Sequence, residues 1–166
     1  MAGLIDDLSE TLNQMNEIYE KLIQTGKEKK SVIIKNDVEQ LHKINDEENS
    51  LVGKAIKLDK KREEYFSDIA FVLNKDSKDI TLSKIIEYID KQPEVESVKE
   101  IYEKTISLLD ELKKINELNN TLIGESLKQA EFQMNLLRGS LSRRPYYCDT
   151  LGNEIPTGER FFDIKQ

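Results

Sequence analysis

This chain of 166 residues has no tryptophan, one cysteine, one histidine and three prolines. Each shortage excludes something. A lone Cys148 cannot close an internal disulfide, and no metal-ligand spacing includes it. The single histidine, His42, sits between Leu41 and Lys43 with no cysteine or acidic cluster arranged around it, and reads as a solvated helix residue. No uncharged apolar run approaches the ~18 residues of a membrane span. The opening MAGLIDDL carries two aspartates where a signal peptide needs basic and then apolar residues. A soluble protein of a reducing compartment, without membrane insertion, is therefore expected. Glycine-rich phosphate cradles and paired titratable groups on converging loops are also missing. The expectation is no enzyme, no catalytic residue, no cofactor and no metal.

What the chain does have is charge of both signs. Asp, Glu, Lys and Arg make up 34% of it, with a net charge of −7. The basic residues are spread along helical patterns and mixed with acidic ones. Nucleic acid is an unfavoured partner, because phosphate binding needs a clustered basic face. The match of Asn119-Asn120-Thr121 to a glycosylation acceptor falls inside a helical pattern and reads as chance.

Periodicity supplies the architecture. Ile5, Leu8, Leu12, Met15, Tyr19 and Leu22 recur at three- and four-residue steps, which predicts a helix from about 4 to 35. Asn36 and Asp37 mark a break. Positions 41, 44, 48, 51, 55, 58, 62, 65, 69 and 72 keep the same alternation and predict a second helix from about 38 to 73. The polar NKDSKD stretch, 74–79, is a loop. It fails as a calcium site, since position 78 is Lys, position 85 is Ile and no central glycine is present. A short helix is expected at about 81–91, and Pro93 suits the first turn of a last helix reaching Ser142. The apolar positions of that helix are broader than one seam requires, so two neighbours are expected for it. The predicted fold is all-α: an elongated antiparallel bundle of three long helices plus one short linking helix. The predicted division is a bundle over 1–144 and an extended tail over 145–166.

Three features are not explained by a plain bundle. Glu48 and Arg62 are charged members of the second helix's seam. A charge facing a bundle interior needs a partner, and its best-attested use is to fix register. Asn116 and Asn119 fall on one face of the last helix, near Leu112 and Ile123. Finally, Tyr146, Tyr147, Phe161 and Phe162, four of eleven aromatics, follow Arg144 in a segment that Pro145, Gly152, Pro156 and Gly158 keep out of helix. Exposed aromatics in a tail suit capture by a partner, or fold back onto the bundle.

Taken in succession, EENSLVGKAIKLDKKREEY, DITLSKIIEYI and INELNNTLIGESL resemble the three motif blocks of the FlgN-type flagellar export chaperones. The matching positions are Glu48 through Arg62, Ile80-Thr81-Leu82, and Asn116, Asn119 and Leu122. The resemblance covers about residues 4–141. It implies a cytoplasmic bacterial chaperone that holds hook-associated proteins of the FlgK and FlgL kind, prevents their premature assembly and delivers them to the export gate. On that reading the cargo contacts expected on the last helix are Asn119, Leu122, Ile123, Leu127, Ala130, Met134 and Leu137. Glu48, Arg62 and Asn116 are the expected register-setting residues. The family ties its C-terminal tyrosine region to the export gate's cytoplasmic domain. Tyr146 and Tyr147 match by position, and Phe161 and Phe162 are grouped with them. The alternative is a non-enzymatic, self-associating coiled-coil adaptor, and a homodimer is compatible with either reading. Size alone and with a cargo peptide separates the two.

Overall fold

The computed structural model of the chain describes residues 2–75, 80–88 and 95–142, with residues 2 and 140–142 described as backbone only. Among the described residues there are four helices: α1 (Ala2–Lys35), α2 (Val38–Val72), α3 (Leu82–Tyr88) and α4 (Val95–Ser142). No strand occurs among the described residues. The chain divides into two units, residues 1–126 and 127–166.

Asparagine ends both α1 and α2. Asn36 has φ 55° and Asn74 has φ 52°, the left-handed region in which asparagine is one of few tolerated residues. Each closes its helix in the same way. At the end of α1 the Asn36 amide donates to Ile33 O and the Asp37 amide to Val32 O. At the end of α2 the Asn74 amide donates to Phe71 O and the Lys75 amide to Ala70 O. That pair of bonds is the Schellman closure, with asparagine in the usual glycine position. Asp37 then starts α2 by accepting from the Gln40 amide at 3.0 Å. Thr81 starts α3 likewise, its hydroxyl accepting from the Lys84 amide at 3.3 Å.

The seam of α2 packs as its spacing predicts. Positions 41 through 69 of the pattern are buried or half-buried, and only Val72 at the end is exposed. The predicted face of α1 is also inward: Ile5, Leu8, Leu12, Met15 and Leu22 are buried and Tyr19 is half-buried. But α1 buries more than one face. Thr11, Asn16, Ile18, Ile23, Thr25 and Ile33 are inside as well.

The contacts explain why. Leu8, Leu12 and Met15 share a cluster with Ile69 and Ala70, and Ile18 and Leu22 share one with Leu51, so α1 and α2 run antiparallel. Asn16 bonds at Ile101 and Thr105, whereas Gly26 meets Ile115 and Asn119, so α1 and α4 run parallel. Helix α1 is thus the member enclosed on two sides. The breadth of α4 is met by different neighbours along its length. Val98 packs with Ile5 of α1 and Ile86 of α3, and Leu112 packs on the cluster shared by α1 and α2. Helix α3 packs near the start of α1: Ile85 joins Leu8 and Leu12, and Ile80, just before the helix, belongs to the same cluster. Each such aliphatic side chain contributes about 1.5–3 kcal/mol when fully buried.

Candidate functional site

The polar residues of the interior hold the helices in register. Asn16 is almost fully buried. The Thr105 hydroxyl lies 2.9 Å from its Oδ1 and 2.8 Å from Ile101 O, so the one hydroxyl proton serves one acceptor at a time. Further along, the Asn119 Nδ2 donates to Gly26 O at 2.8 Å. A Cβ at position 26 would stand 2.6 Å from Ile115 Cγ2, so α1 and α4 approach here because residue 26 has no side chain. Asn119 Oδ1 is buried without a hydrogen-bond partner. Asn119 is 3% exposed, whereas Asn116, on the neighbouring stripe, is exposed. The residue expected to touch cargo faces inward and the one expected to set register faces outward.

The two charges in α2 are held differently. Glu48 Oε2 accepts from Lys29 Nζ of α1 at 2.6 Å, with both side chains mostly buried. This bond crosses between helices. Arg62 finds its carboxylate on its own helix, Asp59 at 2.8 Å, and lies over the Phe66 ring at 5.1 Å. Its Nε is buried without a partner. Tyr19 of α1 feels this group. Burial pushes its hydroxyl pKa up, Asp59 adds to the rise and Arg62 opposes it.

A groove of about 490 Å³ is lined by Asp6, Ser9, Glu10, Asn13, Gln14, Glu17 and Ser97. Every one of these side chains is polar, unlike the mostly apolar lining of small-ligand sites. Among the described residues, no three His, Cys, Asp or Glu side chains are placed to hold a metal ion, and no helix is long and apolar enough to cross a membrane.

The exposed apolar surface is concentrated elsewhere. Within the first unit the inward stripe of α4 steps through Val98, Ile101, Thr105, Leu108, Leu112, Ile115, Asn119 and Leu122, all buried or half-buried. Past Leu122 the same three–four spacing reads Ser126, Gln129 and Gln133. The adjacent stripe, one residue later, carries Tyr102, Ile106 and Leu109, turns polar at Lys113, Asn116 and Asn120, and is apolar again at Ile123, Leu127, Ala130, Met134 and Leu137. Beyond Leu122 most apolar residues lie on this second stripe. Within the second unit every side chain from Leu127 to Gly139 is exposed. Leu127, Met134 and Leu137 are 60%, 52% and 63% exposed. Phe132 and Leu136 add apolar surface on another side of the same segment.

Of the expected contact residues, Leu127, Ala130, Met134 and Leu137 share one exposed stripe, Leu122 and Ile123 are half-buried, and Asn119 is inside. Tyr146, Tyr147, Phe161 and Phe162 lie outside the described residues. Sequence reasoning missed the Gly26–Ile115 approach, whose signal was a glycine inside an otherwise helical run. It also missed exposed Val52, Ile56 and Phe71 on the outer side of α2, for which the seam left no role.

The described residues thus form an all-α bundle whose last helix carries an exposed apolar stripe, the frame of a helical chaperone rather than of a small-ligand site. Residues 1–149 match the FlgN protein family, and the chain belongs to it. The family's role is of the flagellar export chaperone kind, with flagellar proteins as its partners. No curated protein and no solved structure is significantly similar to the chain.

Proposed function

We propose that this protein is a cytoplasmic type III export chaperone that holds the amphipathic terminal helix of a hook-associated subunit of the FlgK or FlgL kind. The observation that carries the reading is the exposed stripe of Leu127, Ala130, Met134 and Leu137 at three- and four-residue steps. A helix lays its apolar face on such a stripe through anchors at the same spacing. Terminal segments that order only on assembly expose that face beforehand, so covering it prevents premature association. Leu122 and Ile123 are cargo contacts of the first unit in this reading, and Met134 supplies an adaptable thioether. Asn119 acts in this reading by holding α4 against Gly26, with Glu48 doing the same for α1 and α2 through Lys29. Asn116 and Arg62 are the outer register positions. Tyr146, Tyr147, Phe161 and Phe162 serve as anchors for the export gate's cytoplasmic domain, since aromatic side chains carry large contact area at little entropic cost.

The test is titration calorimetry of the full chain with a synthetic peptide spanning the terminal helix of a FlgK-like subunit from the same bacterium. The Leu127→Asp/Met134→Asp variant is expected to lose at least about tenfold in affinity, about 1.4 kcal/mol, while its circular dichroism stays helical. Equal affinity in the two proteins overturns the reading.

A further inference from the structure

Sulfur is scarce in this chain, and the two methionines among the described residues stand in opposite surroundings. Met15 of α1 is 4% exposed and packed in the cluster that holds Leu8, Leu12 and Ile69. Met134 of α4 is 52% exposed. A helical methionine leans back over the residues three and four before it, here Glu131 and Ala130. Ala130 is itself exposed and too short to cover a thioether. An oxidant dissolved in water therefore meets Met134 and is kept from Met15.

A peroxide transfers one oxygen atom to a thioether: its O–O bond breaks and an S–O bond forms. The sulfur is oxidised by two electrons, and hydrogen peroxide leaves as water. The product is a sulfoxide, polar and chiral, where an apolar and adaptable side chain stood. Against the apolar face of a bound helix the new oxygen meets no donor, and its desolvation opposes binding. The fold is spared. Every side chain from Leu127 to Gly139 is exposed, so the added oxygen displaces no packing within the second unit. The same oxygen on Met15 would enter the core.

We propose that Met134 is a modification site, at which a peroxide converts the thioether to the sulfoxide and so switches off binding of the cargo helix. The switch rests on the cargo reading of the same stripe. It acts on the empty chaperone, because a bound helix covers the thioether and shields it. Methionine sulfoxide reductases reverse the change. Two thiols are oxidised to a disulfide, the sulfoxide returns to thioether, and its oxygen leaves as water.

Hydrogen peroxide treatment of the full chain tests it, in a Cys148→Ser background that removes the competing thiol. Peptide mapping by mass spectrometry should show the Met134 sulfoxide before Met15 is changed. Titration with the FlgK-like peptide should then give an affinity about tenfold lower. Circular dichroism and the melting midpoint should stay as they were. Methionine sulfoxide reductase with dithiothreitol should restore the affinity. In Met134→Leu/Cys148→Ser, treated and untreated protein should bind alike, whatever the affinity of that variant. Saturating peptide should slow the oxidation of Met134 in the parent chain. Equal affinity before and after conversion of Met134 overturns the proposal. So does an equal loss in the Met134→Leu chain, a loss that the reductase does not reverse, or oxidation of Met134 at the same rate with and without peptide. Oxidation of Met15 ahead of Met134 overturns it as well. A chain that never binds the peptide, oxidised or not, removes the cargo reading and the switch together. A chain that binds it equally in both states removes the switch alone.

Discussion

Gly26 and Asn119 meet backbone to side chain where α1 packs on α4. The asparagine amide donates to the glycine carbonyl at 2.8 Å, and a Cβ on the glycine would stand 2.6 Å from Ile115 Cγ2. Alanine at position 26 would improve helix propensity by about 1 kcal/mol. The clash outweighs that gain, because the methyl it meets is branched at Cβ and cannot swing away. Gly26→Ala is expected to destabilise by roughly 1–3 kcal/mol in urea denaturation. In an Ile115→Ala background the same change should cost little or become favourable. An equal cost in both backgrounds would separate the approach of the helices from this residue pair.

The Lys29–Glu48 bond joins α1 to α2 with side chains 16% and 19% exposed. Removing one partner leaves a mostly buried charge without compensation. Lys29→Met is expected to lose about 1–3 kcal/mol. The double change Lys29→Met/Glu48→Leu should cost less than Lys29→Met alone, since no charge is then stranded. Thermal melting of the three proteins gives the order.

Arg62 contributes apolar contact on Phe66 more than a bridge between helices, and it leaves one buried N–H unpaired. Arg62→Leu keeps the contact and removes the unpaired donor, so its melting midpoint should remain near that of the wild type. Arg62→Ala removes the contact too and is expected to melt lower by several degrees. A Leu variant as unstable as the Ala variant would show that the charge itself matters.

Tyr19 gives a pH signature. Its folded-state pKa is raised, chiefly by burial and further by Asp59. The folded chain therefore favours the neutral phenol. That stabilisation is complete below the ordinary value near 10 and is lost as the pH rises through the folded value. The difference in unfolding free energy between wild type and Tyr19→Phe should be flat to about pH 9 and then shift in favour of the variant. A difference that does not change between pH 8 and 11 would contradict the burial.

Truncation separates the two partners assigned above. Removing residues 145–166 is expected to leave affinity for the FlgK-like peptide within about twofold, because the proposed stripe lies upstream. It should abolish capture by the immobilised export-gate cytoplasmic domain. Tyr146→Ala and Tyr147→Ala then show whether the tyrosines carry that loss. Normal capture by the truncated chain would end the docking assignment.

The sequence alone determined the helices, the main inward faces of α1 and α2 and where those two helices end. Those properties are local. On α1 and α2 a three–four apolar repeat marks the buried side, and Asn36 and Asn74 stop these two helices by a conformation few other residues tolerate. The stripe from Leu127 to Leu137 was legible for the same reason, as apolar breadth beyond one seam. Tertiary structure decided which residues of equal local character were used. Asn116 and Asn119 are three residues apart on one helix, and only the second meets Gly26. Glu48 and Arg62 occupy equivalent seam positions, yet one is held by Lys29 of the neighbouring helix and the other by Asp59 of its own. The enclosure of α1 on two sides was hidden too, because its second buried face is carried partly by Thr11, Asn16 and Thr25. Asn16 is met there by Thr105 of α4, whereas Thr25 bonds to the Lys21 carbonyl of its own helix, so what turns these residues inward is the packing of the other helices, which no local pattern encodes.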